Sequence, residues 1–187
     1  FASPHWPIDM IIWFNHPDVK TLADKLPRQP VEIGCNFFYR VRPVHHICAF
    51  DYVTRDKITQ DTKDTKNFFF SFWTRNGHKT KQFDEVVTPL RLSPQDSGTL
   101  AVYLAIRYLK AKKITIIGCG WNKQDTRSLF DSEYTHRKDA SKVSNPKLKL
   151  LRSYQDEFQT PIQFVGSQPI APFFGLVSDE DLLSGNF

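Results

Sequence analysis

The stretch from Ser97 to Gly118 constrains the fold more than any other part of the chain. Ser97 to Leu109 (SGTLAVYLAIRYL) is apolar on nearly every face apart from Arg107, and Lys112 to Gly118 (KKITIIG) then crowds Ile114, Ile116 and Ile117 into one short β-forming run. A helix with no polar face has to pack under a sheet, and a strand with isoleucines on both sides needs cover on both. The pair reads as the helix-to-strand joint of an α/β unit, its strand central and parallel rather than exposed and antiparallel.

The same alternation recurs along the chain. Met10 to Phe14 (MIIWF) is a continuously apolar run that stops at Asn15-His16-Pro17-Asp18, the pattern of a strand buried on both faces. A helix follows, with Asp18 as its N-cap, Val19, Leu22 and Leu26 at helical spacing, and Pro27 and Pro30 closing it. Val31 to Phe38 predicts a second strand and His45 to Phe50 a third, which stops at Asp51. Residues 55–66 are polar and weakly helical, Asn67 to Trp73 is an aromatic strand bounded by the turn residues Arg75-Asn76-Gly77, and the stretch on to Pro94 is irregular. Leu148, Leu151, Tyr154 and Phe158 mark a helix over Lys147 to Phe158, and Ile162 to Val165 a last short strand. The predicted fold class is α/β, a doubly wound parallel sheet with helices on both faces. Residues 120–146 are polar and longer than an ordinary connection, which predicts an active-site lid.

With 187 residues, the default is one domain over residues 10–187. Residues 1–9 (FASPHWPID) are set aside as an extraneous leader, with Met10 as the natural start. Apolar residues make up 40%, with 16 Phe, 6 Tyr and 4 Trp, enough for a core and against disorder. Lys plus Arg is 25 against 20 Asp plus Glu, a net charge of +5 that is compatible with anionic ligands without requiring nucleic acid. No run approaches the roughly 18 apolar residues of a membrane span. The start carries no secretory pattern, and the expectation is a soluble, cytoplasmic protein. Cys35, Cys48 and Cys119 show no CxxC spacing, so neither a disulfide framework nor a structural zinc site is expected.

Familiar catalytic signatures are missing. There is no Walker A sequence, GxGxxG, HExxH, EF-hand loop or G-x-S-x-G. His45 and His46 are adjacent in a predicted strand, so their rings point to opposite faces and suit a structural role rather than a shared metal. Arg75, Lys79 and Lys81 around His78 form a basic loop, read as solvated surface with phosphate or nucleic acid as the alternative. In a doubly wound sheet the ligand lies beyond the carboxyl ends of the strands. That rule selects Asn15 and His16 after the first strand, Asn36 after the second, Asp51 after the third, and Gly118 to Trp121 after the central one. Ser97, Gly98 and Thr99 join them as a helix start able to hold a phosphate, against the plainer reading of a helix cap.

At these residues the chain resembles the Rossmann-like group of the bacterial CMP-sialic acid sialyltransferases and the related pterin pyrophosphokinase-like proteins. Ile11-Ile12-Trp13-Phe14-Asn15-His16-Pro17-Asp18 follows that group's opening I-I-x-G-N-G-P-S. Cys35-Asn36-Phe37-Phe38-Tyr39 matches its Cys-Asn followed by aromatics, and Ser97-Gly98 through Gly118-Cys119-Gly120 parallels its Ser-Gly helix leading into a strand that ends G-x-D. The likeness runs from about Met10 to Val165. The first-loop glycines are replaced by Phe14 and His16, the serine by Asp18, and the acid after the central strand by Gly120.

The resemblance implies a nucleotide-binding transferase, a glycosyltransferase using a nucleotide-activated sugar such as a CMP-sugar. His136 would deprotonate the acceptor, being the nearest substitute for a lid histidine whose place is taken by Ala140. Tyr134 is the one lid tyrosine, and Arg127, Arg137 or Lys138 would stabilise the departing phosphate. Asn15, His16, Asn36, Asp51, Ser97, Gly98, Thr99, Gly118 and Trp121 would bind the nucleotide. Two alternatives stand beside this. One is a pyrophosphate-transferring kinase with Mg²⁺ on Asp18 and Asp51; the other is a non-catalytic module binding a nucleotide, nucleic acid or a protein partner.

Overall fold

The computed structural model describes residues 9–62, 71–75, 83–86, 90–120, 127–133, 144–166 and 170–187. Among the described residues eight strands form one sheet in the order β5-β4-β3-β2-β1-β6-β7-β8. They are β1 (Asp9–Trp13), β2 (Glu32–Cys35), β3 (His46–Ala49), β4 (Ser71–Arg75), β5 (Phe83–Val86), β6 (Lys113–Ile117), β7 (Ile162–Val165) and β8 (Gly175–Val177). Every neighbouring pair is parallel. Among the described residues five α-helices accompany them: α1 (Val19–Lys25), α2 (Tyr52–Thr62), α3 (Ser97–Arg107), α4 (Ser144–Phe158) and α5 (Asp179–Ser184).

The isoleucines of β6 behave as their pattern demands. Ile114 and Ile116 join a core with α3 and α4, which supply Leu100 to Ile106, Leu151 and Tyr154, while Ile117 lies in a second core with Val19, Leu22, Ile58 and Leu182 of α1, α2 and α5. Helices therefore cover both faces, the doubly wound, Rossmann-like arrangement. The α3 N-terminus is closed by reciprocal bonds: Thr99 N–H donates to Asp96 Oδ1 at 2.8 Å and Asp96 N–H to Thr99 Oγ1 at 3.0 Å. On α4, Tyr154 is buried, its hydroxyl donating to the Leu92 carbonyl at 2.7 Å.

Several boundaries differ from the sequence reading, each for a local reason. The first strand takes in Asp9, paired with Lys113 and 3.3 Å from its ammonium. The second strand stops at Cys35 because Asn36, at φ 52°, turns the chain into a 3-10 turn over Asn36–Arg40. The third strand is shorter than His45 to Phe50, spanning His46–Ala49. The fourth lies at Ser71–Arg75 rather than Asn67 to Trp73, and the stretch read as irregular contains β5. Because parallel strands usually need a crossover of roughly a dozen residues or more, the short connection 76–82 hid that pairing. Helix α4 begins at Ser144, inside the range assigned to the lid, and the β8–α5 unit was not anticipated.

Among the described residues no helix is long and apolar enough to cross a membrane. Cys35 and Cys48 are free and buried, and burial pushes both thiols well above their ordinary range.

Candidate functional site

Strand order reverses between β1 and β6, and there the carboxyl ends open into a cleft of about 310 Å³. Such a switch point is where open α/β sheets receive ligands, and the volume sits at the lower end of small-molecule pockets. His16, Asp18, Val19 and Leu22 form one wall, Gly118 and Cys119 the floor, and Val165, Gly166, Ser178 and Asp179 the other wall. Among the described lining residues there is no lysine or arginine.

The position of His16 is fixed from both sides. Its N–H donates to the Gly118 carbonyl at 3.0 Å, and its own carbonyl accepts from Val19 N–H at 3.0 Å as α1 begins. Only 6% of the residue is exposed. Nδ1 accepts the Asp18 N–H at 3.3 Å and lies 3.3 Å from Asp18 Oδ2, whose own side chain is 64% exposed. Gly118 is placed where a side chain would not fit: at φ 78° a Cβ would come within 2.9 Å of the Phe14 carbonyl and 3.0 Å of Val19. His16 thus rests directly on the end of the central strand.

From this cleft a line of hydrogen bonds runs along the rim. Asn15 donates from Nδ2 to the Cys35 carbonyl at 3.0 Å and accepts at its own carbonyl from Leu129 N–H at 2.8 Å. Asn15 Oδ1 is buried without a hydrogen-bond partner among the described residues. Next along, Ser97 Oγ donates to Asn36 Oδ1 at 2.6 Å and accepts Phe50 N–H at 3.0 Å. Asp51 caps α2, its Oδ1 accepting Thr54 N–H at 2.9 Å. Asn15, Asn36, Asp51, Ser97 and Gly118 therefore share one edge of the sheet.

Sharing an edge does not give them one environment. Gly98 is spent on packing, since a Cβ there would fall 2.5 Å from the Phe14 ring, and Thr99 is fully buried in the cap of α3. Ser97 is buried too and tied to Asn36. Asp18 borders the cleft while Asp51 caps α2, and no group of three or more His, Cys, Asp or Glu able to hold a metal occurs among the described residues.

Residues 127–133 of the predicted lid return over the rim. Leu129 bonds Asn15, Phe130 meets the Phe37 ring edge-on at 5.8 Å, and Glu133 pairs with Arg40 at 2.9 Å and Lys57 at 3.4 Å. The Arg40 hydrogen bond holds the Glu133 carboxyl below its ordinary range. Arg40 is also bonded to Asp61, which accepts from the Tyr39 hydroxyl at 2.8 Å. Arg127 is exposed. Trp121, Tyr134, His136, Arg137, Lys138 and Ala140 lie outside the described residues, as does most of the basic loop around His78.

Sequence reasoning missed Ser178 and Asp179, which belong to the unread β8–α5 unit, and Val165 and Gly166, although the strand that ends there was read. A signal was present. Ser178-x-x-Asp181 is a capping pattern, and Ser178 Oγ accepts Asp181 N–H at 3.0 Å. No family model, no curated protein and no solved structure matches the chain.

Proposed function

We propose that the protein is a nucleotide-binding transferase that moves a group, most simply a sugar, from a nucleotide-activated donor. The observation that carries this reading is the cleft at the point where the strand order reverses, walled by an imidazole, two carboxylates and a hydroxyl. A nucleotide would lie along the rim, where Asn15 Oδ1 is a buried acceptor with no donor among the described residues. Arg127, Arg137 and Lys138 would meet the phosphate charge that the cleft does not.

Thermal unfolding against CMP, CDP, UDP, GDP and ATP, with and without Mg²⁺, tests the reading. A nucleotide at a hundredfold excess over its Kd stabilises by about 2.7 kcal/mol, a Tm rise of roughly 5–10 °C for a chain of this size. A metal-independent rise with a cytidine nucleotide is the expected result. A strictly Mg²⁺-dependent response to ATP would replace sugar transfer by pyrophosphate transfer. A second reading, a non-catalytic binding module, is favoured by the loss of Gly98 and Thr99 to packing. It predicts salt-sensitive binding to nucleic acid and no nucleotide response.

A further inference from the structure

We propose that Arg40 and Lys57 form a phosphate seat on the rim, that the Glu133 carboxylate occupies it in place of a ligand, and that an arriving phosphate releases the segment carrying Glu133. Assigning that phosphate to a nucleotide rests on the reading above.

The seat is built from two elements that begin where strands end. Arg40 closes the 3-10 turn that follows β2, and Lys57 lies on α2, which follows β3. Each takes one oxygen of the same carboxylate: Arg40 Nη1 donates to Glu133 Oε1 at 2.9 Å and Lys57 Nζ to Oε2 at 3.4 Å. Two cations so spaced suit any anion with paired oxygens, and a phosphate brings a larger charge to the same spacing. The guanidinium does not depend on Glu133 for its orientation. It lies over the Phe37 ring at 4.5 Å, and its Nη2 is bonded to Asp61, which also accepts from the Tyr39 hydroxyl at 2.8 Å. Asp61, at that other terminal nitrogen, is the carboxylate a bound phosphate has to tolerate. Among the described residues the cluster sets Arg40 and Lys57 against Glu133 and Asp61, so withdrawing Glu133 leaves one positive charge uncompensated. The side chains of Arg40, Lys57 and Glu133 are 32%, 36% and 30% exposed, which lets a solute reach them with the core intact.

The segment that carries Glu133 is bonded to itself and can move as one piece. Ser128 N–H donates to Asp131 Oδ2 at 2.9 Å, Phe130 N–H to Ser128 Oγ at 3.2 Å and Glu133 N–H to the Phe130 carbonyl at 2.9 Å, closing a 3-10 turn over Asp131–Glu133. Those bonds survive when the segment leaves the body. Its ties to the body include the Leu129 N–H on the Asn15 carbonyl, the edge contact of Phe130 with Phe37, the Lys57 ammonium on the Glu133 carbonyl at 2.8 Å, and the two ion pairs. Ion pairs this exposed are weak and screened by salt, so an anion of higher charge competes for the two cations. Asn15 both holds Leu129 and carries the buried acceptor Oδ1, so release at Glu133 loosens a contact at the residue a nucleotide would meet.

Amide hydrogen exchange and a pyrophosphate titration, both read by NMR on the full chain with ionic strength matched by NaCl, test the proposal without any turnover. The Leu129 N–H reports the segment, and the Phe14 N–H, bonded to the Ile117 carbonyl at 2.8 Å, reports the sheet. Saturating inorganic pyrophosphate should speed Leu129 exchange by about threefold or more and leave Phe14 unchanged, and Glu133→Gln should do the same with no ligand added. Glu133→Gln should also tighten pyrophosphate binding by about three- to tenfold, and adding Lys57→Met should remove that gain. Leu129 exchange that is the same in wild type and Glu133→Gln overturns the tie at Glu133. A titration of Glu133→Gln that never saturates, or that Lys57→Met does not weaken, overturns the seat. Pyrophosphate that saturates the seat while no nucleotide stabilises the chain upholds the seat and refutes the nucleotide reading; a nucleotide that binds the wild type and Lys57→Met equally well refutes the seat and leaves that reading standing.

Discussion

Two polar clusters flank β1 on the same face of the sheet, and they differ in how far they are closed to solvent. Around Glu32, which is fully buried, every carboxylate oxygen is engaged: Oε2 accepts the Trp13 indole N–H at 2.9 Å, and Oε1 accepts Gln29 N–H at 2.8 Å and the Arg42 guanidinium at 3.0 Å. Arg42 in turn caps α1, donating to the carbonyls of Ala23 and Leu26 at 2.9 and 2.8 Å, and lies over the Trp13 ring at 5.2 Å. Glu32 N–H bonds His45 Nδ1 at 3.0 Å. Around His16, by contrast, Asp18 reaches solvent and the walls stand apart over an open cleft. A dry cluster that is densely bonded, with Arg42 Nε lacking a partner among the described residues, holds elements together, whereas an open one with polar walls is available to a ligand.

The contrast breaks most visibly at Glu32. Glu32→Ala leaves the Arg42 charge buried without its carboxylate, and Arg42 Nη2 and the Trp13 N–H without the acceptor they use, and should cost about 3–5 kcal/mol, read from the urea midpoint. Replacing both members by apolar residues, Glu32→Leu with Arg42→Met, should cost less than the single change; an equal or larger loss would mean that the ion pair itself is stabilising.

Acidification should reach the dry side too. Burial first, and His45 second, lower the His46 pKa from 6.5 to about 4. Between those values the unfolded chain binds a proton that the folded one refuses. The contribution is complete above pH 6.5 and is lost as pH falls toward 4, about 2–3 kcal/mol over the window. His45, also lowered chiefly by burial, acts in the same direction. Urea unfolding at pH 7 and pH 5 measures the slope, and His46→Gln should flatten it.

Two rim residues sharpen the line between structure and ligand. Gly98→Ala pushes a methyl into the Phe14 ring and should cost about 1–3 kcal/mol. Phe14→Leu in the same chain should recover part of it, which a phosphate-binding role for Gly98 would not predict. Asp51→Ala removes the cap of α2, worth about 1 kcal/mol, and should leave nucleotide affinity unchanged; a large loss of affinity would return Asp51 to the site. The smallest stability effect is expected in the cleft, where Asp18→Asn should stay within about 0.5 kcal/mol because the side chain is largely exposed.

Much of the architecture was legible beforehand. The isoleucines of β6, the apolar run of β1 and the spacing of Leu151 and Tyr154 on α4 report burial directly, because a side chain in a dry layer has to be apolar whatever lies opposite. The ends of β1, β3 and β6 were legible to within a residue for the same reason, since each apolar run stops where the chain leaves the core; β2 ends at Cys35, short of the run read to Phe38, because Asn36 turns the chain while Phe37 and Phe38 stay buried. Less legible were β5 and the β8–α5 unit, short edge pieces whose pairing depends on a neighbour more than on their own pattern.

From its order of apolar and polar residues alone, the chain determined a parallel sheet covered on both faces, with Asn15, Asn36, Asp51, Ser97 and Gly118 on one edge. Tertiary structure decided which of them packing consumed. Ser97 meets Asn36 and Gly98 meets Phe14 across long stretches of chain, and His16 faces Asp179 across the cleft only because α5 returns beside α1. Periodicity encodes whether a side chain is buried, a property of its own position. Hydrogen-bond partners and open space are properties of pairs, and folding brings those pairs together.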